Sequence, residues 1–309
     1  VLSLIPLGGY VKLVGESETE KLSPEEEKIS FSKQPVLKRI FIVFAGPLFN
    51  FLLAIIIFSA VYLYGVPALS SVVGDVQRES AAYEAGIKKG DKILSIDGKN
   101  IEYWDDIRQV IAQSQGQQVK IIIERDEQKN ELFIQPKLSK TQNILGEEVE
   151  AYLMGISPSD NFTIEKRNVW EATIIGLQKT WQFSKLTVVV IVKMIQGQVS
   201  PKNLGGPIFI AQAAGTVAKE GVIPFLFLMA LLSVNLAIIN LFPIPILDGG
   251  HIMFYLIELV RGKPMSLKWQ GIFQQIGFVF LILLMIFVVM IDIDRMNLDF
   301  VNKVVKFFK

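Results

Sequence analysis

The residues best suited to chemistry lie at 240–251, where the sequence is NLFPIPILDGGH at the end of a long apolar stretch. Pro243 and Pro245 cannot continue a regular helix, because proline has no backbone N–H and its ring clashes with the preceding turn. Unwound backbone at membrane depth is tolerated only inside protein or beside water. An acid just after it, here Asp248, is a candidate site residue. Asp-Gly-Gly is also good turn chemistry, so both interpretations stay open at this point.

Other metal-binding side chains are scarce in the sequence. It contains one histidine, His251, and no cysteine, whereas a catalytic zinc site usually takes three protein ligands with more than one nitrogen among them. A single histidine just past Asp248 does not make such a set, so we interpret His251 as structural. The motif H-E-x-x-H, in which two histidines hold zinc and the glutamate is the general base, is absent from the printed sequence.

Three uncharged apolar runs, at 40–64, 222–247 and 270–291, are long enough to cross a bilayer, which takes about 20 residues of helix. The composition agrees, with 51% hydrophobic residues and a mean hydropathy of +0.42. A run at 186–192 is too short to cross. Because tryptophans and lysines surround it, we expect 169–196 to form an amphipathic helix lying in the membrane interface. The near balance of 31 basic and 30 acidic residues argues against a nucleic-acid partner.

Basic residues indicate which ends of the spans face the cytoplasm. Lys38 and Arg39 precede the first span, and the short loop between the second and third carries Arg261, Lys263 and Lys268. The positive-inside rule places both groups on the cytoplasmic side. The segment 65–221 is then expected outside, in the periplasm of a bacterial inner-membrane protein, although lysines in the C-terminal tail argue weakly for the reverse.

The outer segment begins with a small α/β domain. Strands are predicted at 72–76, 92–96, 119–125 and 131–135, helices at 80–85 and 105–113, and a tight turn at Asp97-Gly98. The run 86–98, with the sequence GIKKGDKILSIDG, resembles the signature of PDZ domains. Such a domain adds an extended peptide to a sheet edge and captures its terminal carboxylate. A peptide C-terminus is therefore a candidate partner, by analogy in a loop at 65–71. The alternative is a PDZ domain that only shields or spaces the membrane part.

Several stretches together resemble the site-2 protease family of intramembrane zinc metalloproteases. The pattern Asn-x-x-Pro-x-Pro-x-Leu-Asp-Gly at 240–249 resembles the second signature of that family. In the same order along the chain, 6–12 (PLGGYVK) resembles its membrane-dipping β-loop, 44–51 (FAGPLFNF) its second transmembrane helix and 204–208 (LGGPI) the segment leading into the third. The resemblance covers almost the whole chain.

The resemblance implies a zinc cofactor (Zn²⁺) and roles for particular residues. Asp248 matches the third zinc ligand of the family, and Asn240 matches an asparagine near the metal that helps to hold substrate. The strand edge that aligns the substrate backbone corresponds to Gly8, Gly9, Tyr10 and Val11. The implied reaction is regulated intramembrane proteolysis of single-span membrane proteins, such as an anti-sigma factor or a remnant signal peptide.

Two departures from the family pattern qualify this expectation. The family's H-E-x-x-H lies on a first transmembrane helix upstream of the stretch matched by 6–12. We therefore expect this chain to be truncated at its N terminus and to lack the catalytic residue of that motif. The outer segment also has room for one PDZ domain, whereas the best-known member of the family carries two in tandem.

The expected architecture is a polytopic α-helical membrane protein with an inserted α/β PDZ domain, three transmembrane helices in this chain and a fourth upstream. Its expected parts are a β-loop and cytoplasmic segment at 1–39, a transmembrane helix at 40–64, the PDZ domain at 65–140, a periplasmic extension with the interfacial helix at 141–221, transmembrane helices at 222–251 and 270–291, and a tail at 292–309. Two other functions fit parts of the sequence. A secondary transporter also breaks its helices around intramembrane acids, and a non-catalytic membrane PDZ adaptor needs only the inserted domain.

Overall fold

The computed structural model describes residue 23 and residues 30–142 and 148–307 of the chain. The chain forms two compact units, which we call the membrane unit (Val1–Phe58 and Gly176–Lys309) and the inserted unit (Ser59–Ile175). The β-loop predicted at 6–12, with Gly8, Gly9, Tyr10 and Val11, lies outside the described residues.

The helices of both units are numbered together in chain order, and the long apolar ones form most of the membrane unit. In chain order, the α-helices of the described residues are α1 (Val36–Tyr64), α2 (Ala81–Glu84), α3 (Trp104–Gln113), α4 (Val169–Ile195), α5 (Pro207–Glu220), α6 (Val222–Leu241), α7 (Asp248–Arg261) and α8 (Leu267–Phe307). Three stretches, Val36–Tyr64, Val222–Leu241 and Lys268–Met296, are long and apolar enough to cross a membrane. The three predicted spans are thus confirmed as helices, but the second ends at Leu241 rather than at 247.

Aromatic rings and buried polar groups join α1, α4 and α6. Phe183 of α4 stacks on Phe58 of α1 with ring centroids 5.6 Å apart, and Phe227 of α6 meets both rings edge-on. The Thr187 hydroxyl of α4 donates to the Asn235 side-chain oxygen of α6 at 2.8 Å. Hydrogen bonds of this kind between helices satisfy polar groups that lipid cannot satisfy.

Helix α4 confirms the helix predicted at 169–196, ending one residue earlier at Ile195. Its buried face carries small residues at four-residue spacing, namely Ala172, Gly176, Thr180 and Ser184. Its large apolar side chains are exposed instead, and these include Trp170, Leu177, Trp181 and Ile195. That distribution suits a helix with its apolar side in lipid. A position in the membrane interface stays a prediction.

The N-terminal end of α1 is held against α7 by Arg39. Its Nη2 donates to the Glu258 carboxylate at 2.5 Å, and its guanidinium lies 4.9 Å from the Tyr255 ring centre. Both charged side chains are largely buried, at 12% and 13% exposure. The basic start of α1 and the C-terminal half of α7, which ends at Arg261, therefore lie at one end of the membrane unit.

At α5, a carboxylate from α8 satisfies the free backbone groups of the first turn. Asp292 is 2% exposed and accepts from the backbone N–H groups of Gly206, Ile208 and Phe209 at 3.0–3.1 Å. The first N–H groups of a helix have no partner within the helix, and its N terminus carries partial positive charge. A Cβ on Gly206 would lie 2.4 Å from the Asp292 carboxylate. A residue with a Cβ at this position would have to displace the Asp292 or Val288 side chain.

The inserted unit is a small α/β structure around one apolar core. Its strands are β1 (Val66–Leu69), β2 (Val73–Val76), β3 (Lys92–Ile96), β4 (Lys99–Asn100), β5 (Val119–Arg125), β6 (Gln128–Ile134), β7 (Lys137–Gln142), β8 (Glu148–Leu153), β9 (Ile156–Pro158) and β10 (Phe162–Glu165). One sheet has the order β4-β3-β5-β6, and the pairs β1-β10, β2-β9 and β7-β8 are two-stranded; every pairing is antiparallel. Buried isoleucines of β3 and β5 form the centre of the core with helices α2 and α3.

Two features of the signature run 86–98, a tight turn and a buried aspartate, have structural roles in the inserted unit. Asp97 and Gly98 form the two-residue turn between β3 and β4 with positive φ of 48° and 78°, as predicted. Asp91 is 1% exposed and accepts two hydrogen bonds at 2.7 Å from Arg125 at the end of β5. These hydrogen bonds raise the pKa of Arg125 above its usual value. Asp91 is thus a buried structural acid.

Two sequence expectations for the inserted unit need correction. The stretch expected to be a loop at 65–71 is largely strand β1, which pairs with β10, so the expected loop conformation is wrong, while binding of a carboxylate there stays a prediction. Strand β6 begins at Gln128 rather than 131, because the turn before it is short: Asp126 and Glu127 both take positive φ.

We predict that Asp292→Asn loosens the contact between α5 and α8, because an amide cannot replace the charge that three N–H groups surround. The expected loss is about 1–3 kcal/mol, the range for hydrogen bonds to charged groups. It should appear as faster hydrogen exchange at Gly206 and Phe209 and a lower melting temperature in detergent. Asp294→Asn, at an exposed position of the same helix, is the matched control. Equal behaviour of the two variants would contradict the capping role.

Candidate functional site

The predicted break in the second apolar run is present between α6 and α7. Helix α6 ends at Leu241, and Phe242 takes an extended conformation with φ −64° and ψ 145°. Short-range hydrogen bonds replace helical ones: Ile244 N–H donates to Phe242 O at 2.7 Å, and Leu247 N–H to Ile244 O at 2.8 Å. Pro243 and Pro245 have no N–H to offer. The six residues 242–247 therefore form an unwound segment, as the sequence predicts.

Asp248 is the first residue of the helix that follows the unwound segment. Leu247 precedes it in an extended conformation, and its carbonyl accepts from the N–H groups of Gly250 and His251 at 3.0 and 3.2 Å. A carboxylate in the first turn lies at the partially positive end of the helix. Asp248 is half-buried. Its local position thus favours a negatively charged oxygen ligand that remains accessible.

The two glycines after Asp248 are required by close approach of backbone to backbone. A Cβ on Gly249 would lie 2.3 Å from the carbonyl oxygens of Leu241 and Phe242, and one on Gly250 would lie 2.3 Å from Ile244 O. Carbonyl oxygens of the main chain cannot move aside as a flexible side chain can. The first turn of α7 therefore lies directly on the unwound segment.

A glycine of α1 lies close to Asp248, and a glycine of α8 lies close to the unwound segment. A Cβ on Gly46 of α1 would lie 3.3 Å from Asp248 Oδ2, and one on Gly277 of α8 would lie 3.3 Å from Pro245 Cδ. The stretch FAGPLFNF and the Pro-x-Pro run are therefore brought together in space. Neither Gly46 nor Gly277 is a predicted site residue. A glycine beside proline in FAGP was the available signal for the first, and nothing local marks the second.

Asn240, the other predicted site residue of this region, lies near the end of α6. Its side chain is half-buried. Within residues 30–142 and 148–296 we find no hydrogen-bond partner for its amide. An amide with unused donors and acceptors next to unwound backbone can hydrogen-bond to a peptide group.

His251 packs among aromatic rings of α7 and α8. Its ring lies edge-on to Phe254 with centroids 6.4 Å apart, and Phe254, which is buried, lies 6.3 Å from Phe273. These contacts support the structural interpretation of this histidine. No group of three or more His, Cys, Asp or Glu side chains that could hold a metal occurs among the described residues. The described site therefore offers one carboxylate that suits zinc, where a catalytic site needs about three protein ligands.

Comparison with known proteins points to one family. The profile of Peptidase family M50 matches residues 1–284. The chain is 36% identical to the Campylobacter jejuni protein named "Putative zinc metalloprotease Cj1068" over 95% of this chain and 79% of that protein. It is 30% identical to the "Regulator of sigma E protease" of Haemophilus influenzae over 96% of this chain and 87% of that protein. A PDZ domain structure from Listeria monocytogenes is similar to 29% of this chain and 86% of its own, with 21% identity and a TM-score of 0.23.

We predict that Gly249→Ala and Gly250→Ala strongly destabilise the protein, because each Cβ would overlap main-chain oxygen. Small-to-large changes in tight packing cost about 1–3 kcal/mol, occasionally more. The melting temperature in detergent measures the loss. Gly215→Ala in α5 is the matched control, since a Cβ there meets nothing within 4 Å, and alanine is the better helix former. Equal melting temperatures for all three variants would contradict the close approach of α7 to the unwound segment.

Proposed function

The chain belongs to peptidase family M50, and we propose that Asp248 is a ligand of the zinc with which it cleaves substrates inside the membrane. As a member of this family with three membrane-crossing helices, it is an intramembrane zinc metalloprotease. The observation that carries the proposal is the position of Asp248, which begins α7 directly after the unwound segment and lies beside Gly46 of α1. The transporter and adaptor hypotheses are set aside by the family membership.

Several features support a metal-binding role for Asp248. Its carboxylate is the ligand type that zinc accepts together with histidines. The small Gly46 leaves space beside Oδ2, and the helix N terminus favours a charged oxygen there. Zinc, when bound, polarises a carbonyl and makes a water more acidic. The residues of this chain contribute the oxygen ligand and the rigid backbone that fixes it, because Gly249 and Gly250 seat α7 on the unwound segment.

The substrate presents a particular problem, because the peptide groups of a transmembrane helix are already paired with one another. Cleavage requires a locally extended substrate backbone, and its freed N–H and C=O groups need new partners in a place without bulk water. We assign Asn240 to that task, since its side-chain amide both donates and accepts. The edge of a strand at Gly8, Gly9, Tyr10 and Val11 would align the same backbone, as the family resemblance implies.

The family and the charge pattern support a proposal for the substrate class and the location. We propose single-span membrane proteins as substrates, such as an anti-sigma factor or a remnant signal peptide, in the bacterial inner membrane. The inserted domain would lie in the periplasm and bind a peptide C-terminus or exclude bulky substrates. The Arg39–Glu258 contact supports this orientation, because it brings two of the basic groups to one end of the membrane unit.

We predict that Asp248→Asn in the full-length protein abolishes cleavage of a membrane-spanning substrate and lowers zinc content. A neutral amide is a poor replacement for a carboxylate ligand. Asn240→Ala should lower turnover while zinc stays bound, because its assigned partner is the substrate backbone. Metal analysis of the purified protein and a gel assay of cleavage measure the two effects.

Two matched variants serve as controls for that experiment. Asp294→Asn removes a carboxylate at an exposed position of α8, and it should leave cleavage and zinc content unchanged. His251→Gln should keep zinc, since we interpret this residue as structural. Full cleavage by Asp248→Asn would contradict the ligand role and favour the turn interpretation of Asp-Gly-Gly.

The proposed orientation predicts labelling from opposite sides of the membrane. Lys99→Cys in the inserted unit should react with an impermeant thiol reagent added to the periplasmic side of intact cells. Lys263→Cys, between α7 and α8, should react only after the cells are opened. Both positions are exposed, and the protein has no native cysteine. Labelling of both from one side would overturn the three-span topology.

A further inference from the structure

Strands β1 and β10 form a two-stranded ribbon at the end of the first membrane-crossing helix. The ribbon pairs Val66 with Glu165 at one end and Leu69 with Phe162 at the other. Helix α1 ends at Tyr64, so the ribbon starts two residues after a transmembrane span. The chain leaves the ribbon at Glu165 and enters α4 at Val169.

The ribbon exposes a continuous group of apolar side chains, which we call the ribbon face. Phe162 and Ile164 are 69% and 62% exposed, and they share one face of β10 because side chains alternate along a strand. Pro67, which pairs with Ile164, is exposed as well. Exposed Tyr64 precedes β1 in the chain and exposed Val169 and Trp170 follow β10, next to the same end of the ribbon. Single exposed apolar residues are ordinary, whereas contiguous ones mark contact surfaces.

Close contacts hold the ribbon at the last turn of α1. A Cβ on Gly65 would lie 2.6 Å from the Ile164 side chain, so Ile164 lies against the residue that follows the span. Arg167 N–H donates to Tyr62 O at 3.0 Å. The Arg167 guanidinium also donates to Glu165 at 2.9 and 3.0 Å and lies 4.8 Å from the Tyr103 ring centre. The ribbon therefore cannot move far from the end of the membrane helix.

The length of α1 is enough to bring its end to the depth of the lipid headgroups. The 29 residues of α1 extend about 44 Å at the usual helical rise, longer than the roughly 30 Å hydrocarbon core and close to the 40–45 Å of the whole bilayer. Apolar and aromatic side chains next to such a helix end are typical of the interfacial belt. Lys166, exposed between the ribbon and α4, adds a cation that suits anionic headgroups.

We propose that the ribbon face is a lipid-contacting surface, with Phe162, Ile164 and Pro67 immersed in the interfacial layer of the bilayer. The surface directly follows exposed Tyr64 at the end of α1, and this continuity with a membrane-crossing helix favours lipid over another protein. Immersion of the ribbon gives the inserted unit a contact with the membrane besides its covalent links through α1 and α4. The rival occupant is a peptide strand pairing with β10, because β10 pairs only with β1 among the described strands.

The test uses the full chain in vesicles of phosphatidylethanolamine and phosphatidylglycerol, with one cysteine at a time carrying an environment-sensitive NBD fluorophore. The absence of native cysteine leaves no background labelling. Phe162→Cys and Ile164→Cys probe the ribbon face. Thr163→Cys probes the opposite face of the same strand, and Phe133→Cys probes an exposed apolar position of β6. Nitroxide phospholipids quench labels in the interface, and iodide quenches labels in water.

The proposal predicts blue-shifted emission at 162 and 164, with quenching by nitroxide phospholipid and protection from iodide. The label at 133 should be quenched by iodide alone, and the label at 163 should fall between. Equal iodide quenching at 162, 164 and 133 would overturn the proposal. Protection from iodide without quenching by lipid would also overturn it, and would indicate a peptide or protein occupant.

A second measurement uses the unmodified chain, so it does not depend on how the variants fold. A photoactivatable phospholipid in the same vesicles should crosslink to the peptide that contains Phe162 and Ile164. It should not crosslink to the peptide that contains Phe133. The reverse pattern would contradict the lipid assignment. Neither measurement depends on zinc or on cleavage.

Discussion

Two prolines separated by one residue interrupt an apolar membrane helix, and most of the membrane unit is arranged around that interruption. Pro243 and Pro245 leave carbonyl groups without helical partners, and in a membrane such groups must be enclosed by protein or reached by water. Close approach of neighbouring backbone provides the enclosure. Gly249 and Gly250 bring α7 onto the unwound segment, and Gly277 brings α8 against Pro245. A Cβ at Gly249 or Gly250 would overlap main-chain oxygen at 2.3 Å, and one at Gly277 would make a tight contact of 3.3 Å with Pro245.

The same interruption accounts for the placement of the proposed site. A helix that restarts after an unwound segment presents its N terminus, and Asp248 occupies that first turn. Gly46 of α1 lies beside the carboxylate, where a Cβ would be 3.3 Å from Asp248 Oδ2. Asn240 lies on the other side of the interruption, before the unwound segment begins. One sequence feature thus positions both residues to which we assign roles.

Local sequence patterns predicted the elements that depend on local energetics. Strands β3 and β5 have the predicted ends, and the Asp97-Gly98 turn has the predicted conformation, because alternation and turn chemistry act over a few residues. The apolar run behind the second predicted span extends to 247, six residues beyond the end of α6 at Leu241, and only the two prolines indicated the unwound backbone. Hydropathy cannot locate this boundary, because unwound residues such as Phe242 and Leu247 are as apolar as the helix before them.

Contacts between distant parts of the chain could not be predicted in this way. Asp292 and Gly206 are 86 residues apart, yet the Asp292 carboxylate caps helix α5, which begins directly after Gly206. Strands β1 and β10 pair although they are about equally far apart in the chain. Each has four residues, which is too few to show alternation. The approach of Gly46 to Asp248 is also invisible locally. The family resemblance named the stretches that contain both residues, and the fold brings them together.

The proposed zinc ligand Asp248 can be tested by anomalous diffraction at the zinc edge from crystals of the full-length protein. We expect a single anomalous peak about 2.0–2.2 Å from an Asp248 carboxylate oxygen, the distance for a zinc–carboxylate bond, with His251 unbound. A zinc peak without contact to Asp248, or one bonded to His251 instead, would exclude Asp248 as the ligand.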